Sequence, residues 1–342
     1  MRGLLIGIAI FLAIVVVAVL GFKLYDYIVA YDFYQNSEIA FKIPGIKDSS
    51  FVPQGIDYVE TDKVFLFTGF MNDGTNSRVY VRHEDGTLTY TKLVYPDGSA
   101  YTEHTGGITH FGNYIFITGT TELDVFLYSD VLDGKETAVR QGTVPTFVDP
   151  SHCCVYSDET GDYLLTGSFY YEGEYDTPDN EHILTPSGDL NTSLILVYRL
   201  NEDEKFAVEP NPIAAISTRL KVQGICFTDD GHLVLSNSWG ITPSELHFYD
   251  TSKMTCVEDY HYVGTNKSGV HYDIVIPMYF ADSDSHVGIV IAPPMSEEIV
   301  FHNGKIYVLN ESASRKYLFG KLTTGQNLYA YDYAAFKNKI PR

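Results

Sequence analysis

The chain has 342 residues, 45% of them apolar, and its 44 acidic against 23 basic side chains leave a formal charge of −21. The apolar content suffices for a large core, whereas the negative charge repels nucleic acid and anionic lipid surfaces and argues against both as partners. Four cysteines, Cys153, Cys154, Cys226 and Cys256, are too few for a disulfide scaffold. Buried free thiols are expected, with a Cys226–Cys256 or a vicinal Cys153–Cys154 bridge as the alternatives outside the cytoplasm.

The first element lies in MRGLLIGIAIFLAIVVVAVLGFKLYDY, where Arg2 precedes an uncharged run from Gly3 to Phe22. A run of that length crosses a bilayer core as one helix. With the positive charge before it and the bulk of the chain after it, the N-terminus is expected in the cytoplasm and the body outside, as a single-pass protein of the cell membrane. A cleaved signal peptide is the competing reading, but the run is longer than a usual signal core and no A-x-A site follows it. Residues 1–24 are therefore read as an anchor or signal-anchor, 25–36 as a linker and 37–342 as one domain.

From there the chain repeats one plan. A run of β-branched and aromatic residues, a polar turn and a second apolar run make a hairpin. The copies are PQGIDYVETDKVFLFTGF from Pro53, GGITHFGNYIFITGT from Gly106, SHCCVYSDETGDYLLTGS from Ser151, KVQGICFTDDGHLVLSNSWG from Lys221 and EIVFHNGKIYVLN from Glu298. A third run follows each hairpin: SRVYVRHEDG, LDVFLYSD, SLILVYRL, ELHFYD and NLYAYDY. Fainter fourth runs follow the first four units: LTYTKLVY, AVRQGTVP, PIAAISTRL and VEDYHYVG. The fifth unit ends without one, and SEIAFKIPG at Ser37–Gly45 is placed to supply it. The plan describes an all-β, five-bladed β-propeller closed by its N-terminal strand, and closure removes the sheet edge that an open array would expose. A β-sandwich is one alternative. The other is a six-bladed ring with a cryptic blade in VHYDIVIPMYFADSDSHVGIVIAPP from Val270.

In a propeller, the residues that enter the innermost strands and the loops between second and third strands meet at one mouth of the central channel, where ligands commonly bind. Gln54, His104, His152, Gln223 and Glu297 enter the five innermost strands. Packing alone would favour aliphatic residues there; these side chains can instead hold a cation, a water or a polar ligand. His104, His152 and Glu297 are the expected ligands of a divalent metal, Ca²⁺, Zn²⁺ or Mn²⁺, with a water-filled polar plug as the alternative. The first loop adds Asn72, Asp73 and Ser77, and the fourth adds Asn237, Ser238 and Trp239, the only tryptophan of the chain. Polar groups beside an aromatic platform suit a sugar-like or amphipathic ligand. The third loop, FYYEGEYDTPDNEHILTPSGDLNTS, is long enough to act as a lid. Arg315 and Lys316 in the fifth suit an anionic group on the ligand. The chain has no G-x-S-x-G, H-E-x-x-H, Walker or C-x-x-C motif.

The motifs VPQGI, HTGGI, VQGICFTDDGHLVLSNSWG and APPMSEEIVFHNGKIYVLNESASRKY resemble the blades of a family of secreted or membrane-anchored bacterial β-propeller proteins of unassigned activity. More distantly the chain is similar to gluconolactonase and strictosidine-synthase-like propellers. That likeness implies metal-dependent hydrolysis in the channel, although those rings have six blades and only Glu297 fits their ligand pattern. Two functions are expected on these grounds. In the first, a metal held by His104, His152 and Glu297 activates water to attack a small or envelope-derived ester, lactone or phosphodiester, with Arg315 or Lys316 steadying the charge that develops. In the second, the propeller is a non-enzymatic binding or scaffolding module at the cell surface. A glycoside hydrolase using Glu297 and Asp73 is a third possibility.

Overall fold

Runs such as Leu233, Val234 and Leu235 are apolar at consecutive positions, and successive strand residues point to opposite sides. A strand of this kind is stable only where both sheet faces are covered. The computed structural model describes residues 2–318 and 320–339 and meets that condition. Leu233 and Leu235 pack in the apolar cluster between the third and fourth blades, and Val234 in the cluster between the fourth and fifth. Leu66 and Phe67, Leu164 and Leu165, and Val308 and Leu309 divide in the same way. Each gap between neighbouring blades holds one such cluster, and each buried Leu, Ile or Phe contributes about 1.5–3 kcal/mol.

Blade 1 is Phe51–Val59, Val64–Met71, Arg78–His83 and Leu88–Val94, with Thr137–Val139 added in parallel at its edge. Blade 2 is Ile108–Phe111, Tyr114–Thr118, Glu122–Leu127 and Gly142–Pro145. Blade 3 is His152–Asp158, Gly161–Gly167, Ser193–Leu200 and Val208–Thr218. Blade 4 is Val222–Phe227, His232–Asn237, Ser244–Asp250 and His286–Ala292. Blade 5 is Ser296–His302, Lys305–Asn310 and Asn327–Asp332, and its fourth strand is Ser37–Lys42. Ser37 pairs with Tyr331 and Lys42 with Asn327, so the N-terminal strand closes the five-bladed ring as expected.

The fourth strand of blade 4 is not the expected VEDYHYVG. That segment forms the hairpin Cys256–Thr265 with His271–Phe280, which adds to the outer strand of blade 3 through parallel pairs such as Ala215 with Met278. The hairpin buries Tyr262, Tyr272, Ile276, Met278 and Phe280 against blades 2 and 3. His286–Ala292 then pairs with Ser244–Asp250, so the segment from Val270 is an excursion plus a returning strand and not a sixth blade. All four cysteines are free thiols, so neither candidate bridge forms.

Helix α1 (Arg2–Val29) is long and apolar enough to cross a membrane, and its side chains from Leu5 to Ala18 are exposed. Of residues 25–36, those up to Val29 continue α1, and after a turn at Ala30 the short helix α2 (Tyr31–Gln35) follows. Ala30 and Phe33 are buried between blades 4 and 5, with Phe33 stacked on Tyr331 at 5.7 Å.

Candidate functional site

The glycines at the start of the inner strands of blades 1, 2 and 4, Gly55, Gly107 and Gly224, have a packing cause. The strands converge so closely that a Cβ on Gly107 would lie 2.6 Å from Glu298 Oε1, and one on Gly224 would lie 2.5 Å from Glu298 Cα. Glu298 occupies the space that these glycines leave. Its Oε2 accepts the backbone N–H groups of Ile56 (2.8 Å) and Ile108 (3.0 Å), and its Oε1 that of Cys153 (3.1 Å). One carboxyl from blade 5 therefore ties the inner strands of blades 1, 2 and 3. Burial pushes its pKa well up, and the three N–H groups act against that shift. Below it Asp57 accepts the N–H groups of Tyr58 and His110, each at 2.8 Å, and burial raises its pKa to about 7. A cavity of about 120 Å³ lies there, with Cys153, Cys154 and Cys226 in its wall.

Above Glu298 the inner strands of blades 1, 4 and 5 lose register, between Pro53 and Gly55, Val222 and Gly224, and Ser296 and Ile299. A bulge takes a side chain out of the ladder and re-aims it. The displaced residues are Gln54, Gln223 and the pair Glu297–Glu298, so three of the five entry residues read from sequence, Gln54, Gln223 and Glu297, are ones that the bulges release.

Gln54 Nε2 donates to Glu311 Oε2 at 2.8 Å. Glu311 stands at the top of blade 5, where the loop to the third strand begins, close enough to Glu297 and Tyr317 to raise the pKa of both. Glu297 is 3% exposed and Glu311 9%. Two neighbouring buried carboxyls resist ionising together, because their like charges repel most strongly where water is excluded. Burial is the main cause that raises the pKa of each, and their mutual charge raises that of Glu297 further. The Lys316 ammonium opposes the rise in both. Its Nζ lies 4.8 Å from the centre of the Phe70 ring and 5.0 Å from that of Tyr317. His104 stacks on the other partner of this group, Phe70, at 5.0 Å. His104 is exposed, and desolvation by the neighbouring protein together with Lys316 lowers its pKa to about 4.

Beside this group stands an aromatic wall. Trp239 stacks on Tyr171 at 4.6 Å, with Tyr175 edge-on at 5.3 Å and Phe169 at 5.7 Å. Lys221 Nζ lies 5.2 Å from the Tyr171 ring centre. Tyr175 is near enough to Tyr317 to help raise its pKa, which links the wall to the carboxyl pair.

Among the expected residues, Gln54, Glu297, Lys316 and His104 meet at one mouth, with Trp239 in the adjoining wall. The others are used elsewhere. His152 is fully buried beneath blades 3 and 4: Ser151 Oγ lies 3.0 Å from Nδ1, Nε2 faces backbone with no well-formed hydrogen bond, and burial lowers the pKa to about 3. The described residues contain no group of three or more His, Cys, Asp or Glu placed to hold a metal ion, so the triad His104, His152 and Glu297 is not assembled. Asp73 closes its own turn, accepting from Thr75 N at 3.1 Å and Thr75 Oγ1 at 2.6 Å, and those bonds lower its pKa. The expected pairing of Glu297 with Asp73 is thus replaced by Glu297 with Glu311. Asn72 is exposed beside that turn, and Ser77 donates to Glu103 O at 2.7 Å. Asn237 Nδ2 donates to Leu220 O at 2.6 Å and braces a loop, while Ser238 accepts from Ser244. Gln223 is half-buried at its bulge. Arg315 turns away from its neighbour Lys316 and donates to Lys47 O at 2.9 and 3.2 Å. The long third loop is pinned by its buried Glu181, which accepts from Ser168, and by Tyr170 O, which accepts from Lys221 N at 3.0 Å.

Glu311, Glu298 and Tyr317 escaped the reading of the sequence. Glu298 had a signal in the doubled acid of SEEIV, and Glu311 directly follows a second strand at YVLNES.

These features define a five-bladed β-propeller with a helix long enough to span a membrane and a carboxyl pair at one channel mouth. No family model matches the chain, and no curated protein matches it by sequence. Solved structures similar to it include a luciferin-regenerating enzyme, with 13% identity over 86% of this chain and 95% of that one and a TM-score of 0.42. Another is the PQQ-bound aldose sugar dehydrogenase of Streptomyces coelicolor, with 10% identity over 86% and 96% and a TM-score of 0.43. A third is the glutaminyl cyclase of Myxococcus xanthus, with 9% identity over 80% and 90% and a TM-score of 0.39. Likeness at this level says nothing about chemistry, and the blade count here rests on the chain's own strand pairing.

Proposed function

We propose that this chain is a single-pass membrane protein with its propeller on the extracytoplasmic side. At the mouth described above, it hydrolyses a small or envelope-derived ester, lactone or phosphodiester by acid–base chemistry of Glu297 and Glu311. The observation that carries the reading is the neighbouring pair of buried carboxyls, Glu297 and Glu311, beside Lys316. A pair that shares one proton holds a base and an acid at the same time. The ionised member takes a proton from water as it attacks the acyl carbon or phosphorus, and the protonated member gives one to the leaving oxygen. Lys316 stands where the negative charge of the attacked centre is stabilised. The wall of Trp239 and Tyr171 supplies an apolar face for a sugar-like or acyl part of the ligand.

The test is a panel of aryl esters, lactones and phosphodiesters with wild type, Glu297→Gln and Glu311→Gln. Proton transfer by such a group is worth about 10²–10⁴-fold in rate, so each variant is expected to lose at least about a hundredfold. Turnover that survives both substitutions would remove this mechanism. The burial of both carboxyls favours a second reading, a binding module whose pair seals the channel. An inactive wild type that binds envelope polysaccharide through Trp239 would establish it.

A further inference from the structure

α1 fixes the body in a particular attitude. Its end does not lead into a free linker: Ala30 and Phe33 are buried in the propeller, Tyr34 Oη donates to Asp26 at 2.9 Å, and Tyr34 lies 2.8 Å from Thr324 Oγ1. Lys23, Asp26 and Tyr27 share a cavity of about 830 Å³ with Lys47, Arg315 and Thr324. Val29 shares another, of about 380 Å³, with Lys221, Trp239 and Glu245. Every propeller residue in those two contacts belongs to the end of the blades that carries Glu297 and Glu311. The uncharged run of α1 ends at Phe22, one residue before Lys23, so the bilayer boundary falls beside that same end.

The loops there are dressed for an apolar neighbour. Leu318, Leu184 and Leu190 are the most exposed large apolar side chains of the described propeller, at 73%, 71% and 61%, and Ile241 is also exposed. All four sit in loops between second and third strands. Tyr25, Tyr27 and Tyr31 are exposed around the end of α1, where amphipathic rings settle at a membrane interface. The net charge of −21 opposes adhesion of the body as a whole. At the exit of the helix, however, the scarce cations Lys23, Lys47 and Arg315 stand together.

We propose that this face rests against the bilayer crossed by α1, so that the channel mouth opens into the lipid headgroup layer and receives an amphiphilic ligand from the membrane. The placement rests on the anchor reading of α1, and the ligand class rests on the site reading above. Trp239, the only tryptophan, is a built-in reporter at that mouth. The full-length chain is reconstituted in phosphatidylcholine vesicles, recovered by flotation, and its emission measured with nitroxide labels in the headgroup region or at mid-chain. Headgroup labels are expected to quench Trp239 and mid-chain labels to leave it bright. In a Trp239→Phe background, Leu318→Trp is expected to be quenched, whereas Thr61→Trp, in a turn at the opposite end of blade 1, is not. Glu311→Gln is expected to quench as wild type does, which separates the placement from the chemistry. A floating protein with Trp239 and Leu318→Trp both unquenched, or with Thr61→Trp quenched equally, overturns the placement and leaves the carboxyl-pair chemistry standing. A chain that fails to float overturns the anchor and the placement together.

Discussion

Glu297 and Glu298 are neighbours in sequence, both nearly inaccessible to solvent, and their surroundings differ completely. Glu298 faces three backbone N–H groups from three blades, a set of fixed donors that satisfies a carboxyl and cannot move without moving the strands. Glu297, released by the same bulge, faces another carboxyl. The first arrangement holds a ring together. The second stores a like-charge conflict that only a proton, a cation or a ligand resolves, and unresolved conflicts of this kind mark sites more often than scaffolds. Burial alone would not have told the two apart; the identity of the hydrogen-bond partners does.

Breaking the structural member should produce the largest effect. Glu298→Leu leaves the N–H groups of Ile56, Ile108 and Cys153 without an acceptor, and at about 1–3 kcal/mol for each buried unmet donor the ring loses several kcal/mol. Glu298→Gln keeps one oxygen and is expected to fall between Leu and wild type in urea unfolding. Equal midpoints for all three would remove Glu298 as the tie between blades.

The chemical member should behave in the opposite sense. Glu311→Gln ends the like-charge pair, so its stability is expected to match or exceed that of wild type while turnover falls. The sign with pH follows from the raised pKa values. A carboxyl pair held protonated in the fold stabilises it at low pH and ceases to do so as pH rises through the folded-state value. The advantage of Glu311→Gln over wild type should therefore grow on the alkaline side, which melting curves from pH 5 to 9 would reveal. A divalent ion would replace the shared proton, so Ca²⁺, Zn²⁺ or Mn²⁺ should raise the wild-type melting temperature but not that of Glu311→Gln if the pair binds metal. A melting temperature that ignores chelator and all three ions would remove a metal from this pair.

The contrast also explains what the sequence could and could not convey. Strand pattern is local: the repeated hairpins and the closing strand at Ser37 were legible because alternation and turn residues occur within each unit. The entry positions were legible too, since Gln54 and Glu297 fall at the same point of the repeat. What failed was whatever depends on distance. The hairpin at Cys256–Phe280 has the pattern of a blade strand, and only the apolar surface on blade 3 decides where it docks. Glu311 meets Glu297 because blade 5 folds back on itself between them, and Arg315 and Lys316, adjacent in the chain, part because the loop turns at that point. His152 looked like a channel residue by register, yet it has no bulge to re-aim it and stays in the packed layer.

His152 supplies a third, smaller test. Its pKa falls to about 3 in the folded chain, so the buried ring is neutral, and the unfolded chain binds the extra proton below about pH 6.5. Where the unfolded state binds more protons, stability rises with pH. Wild type should thus lose stability as pH falls from about 6.5 toward 3, and His152→Gln should show a flatter acid limb. His104, lowered to about 4, acts in the same direction but lies at an exposed edge, so His104→Gln should alter the limb less. Parallel acid limbs for wild type and His152→Gln would show that other groups govern acid unfolding.

The smallest effect is expected at Asp73, the carboxyl that the sequence offered as a partner of Glu297. Its side chain is committed to Thr75 within its own exposed turn, and hydrogen bonds, not burial, set its lowered pKa. A group of this kind stabilises one local turn conformation and is screened by water. Asp73→Asn preserves the acceptor that the turn needs and should leave both melting temperature and turnover unchanged. Asp73→Ala should loosen the loop without affecting the rate at which any substrate of the panel is cleaved. A loss of activity in Asp73→Asn comparable to that of Glu311→Gln would mean that ligand binding draws Asp73 into the mouth, and the pair that performs the chemistry would have to be redrawn as Glu297 with Asp73.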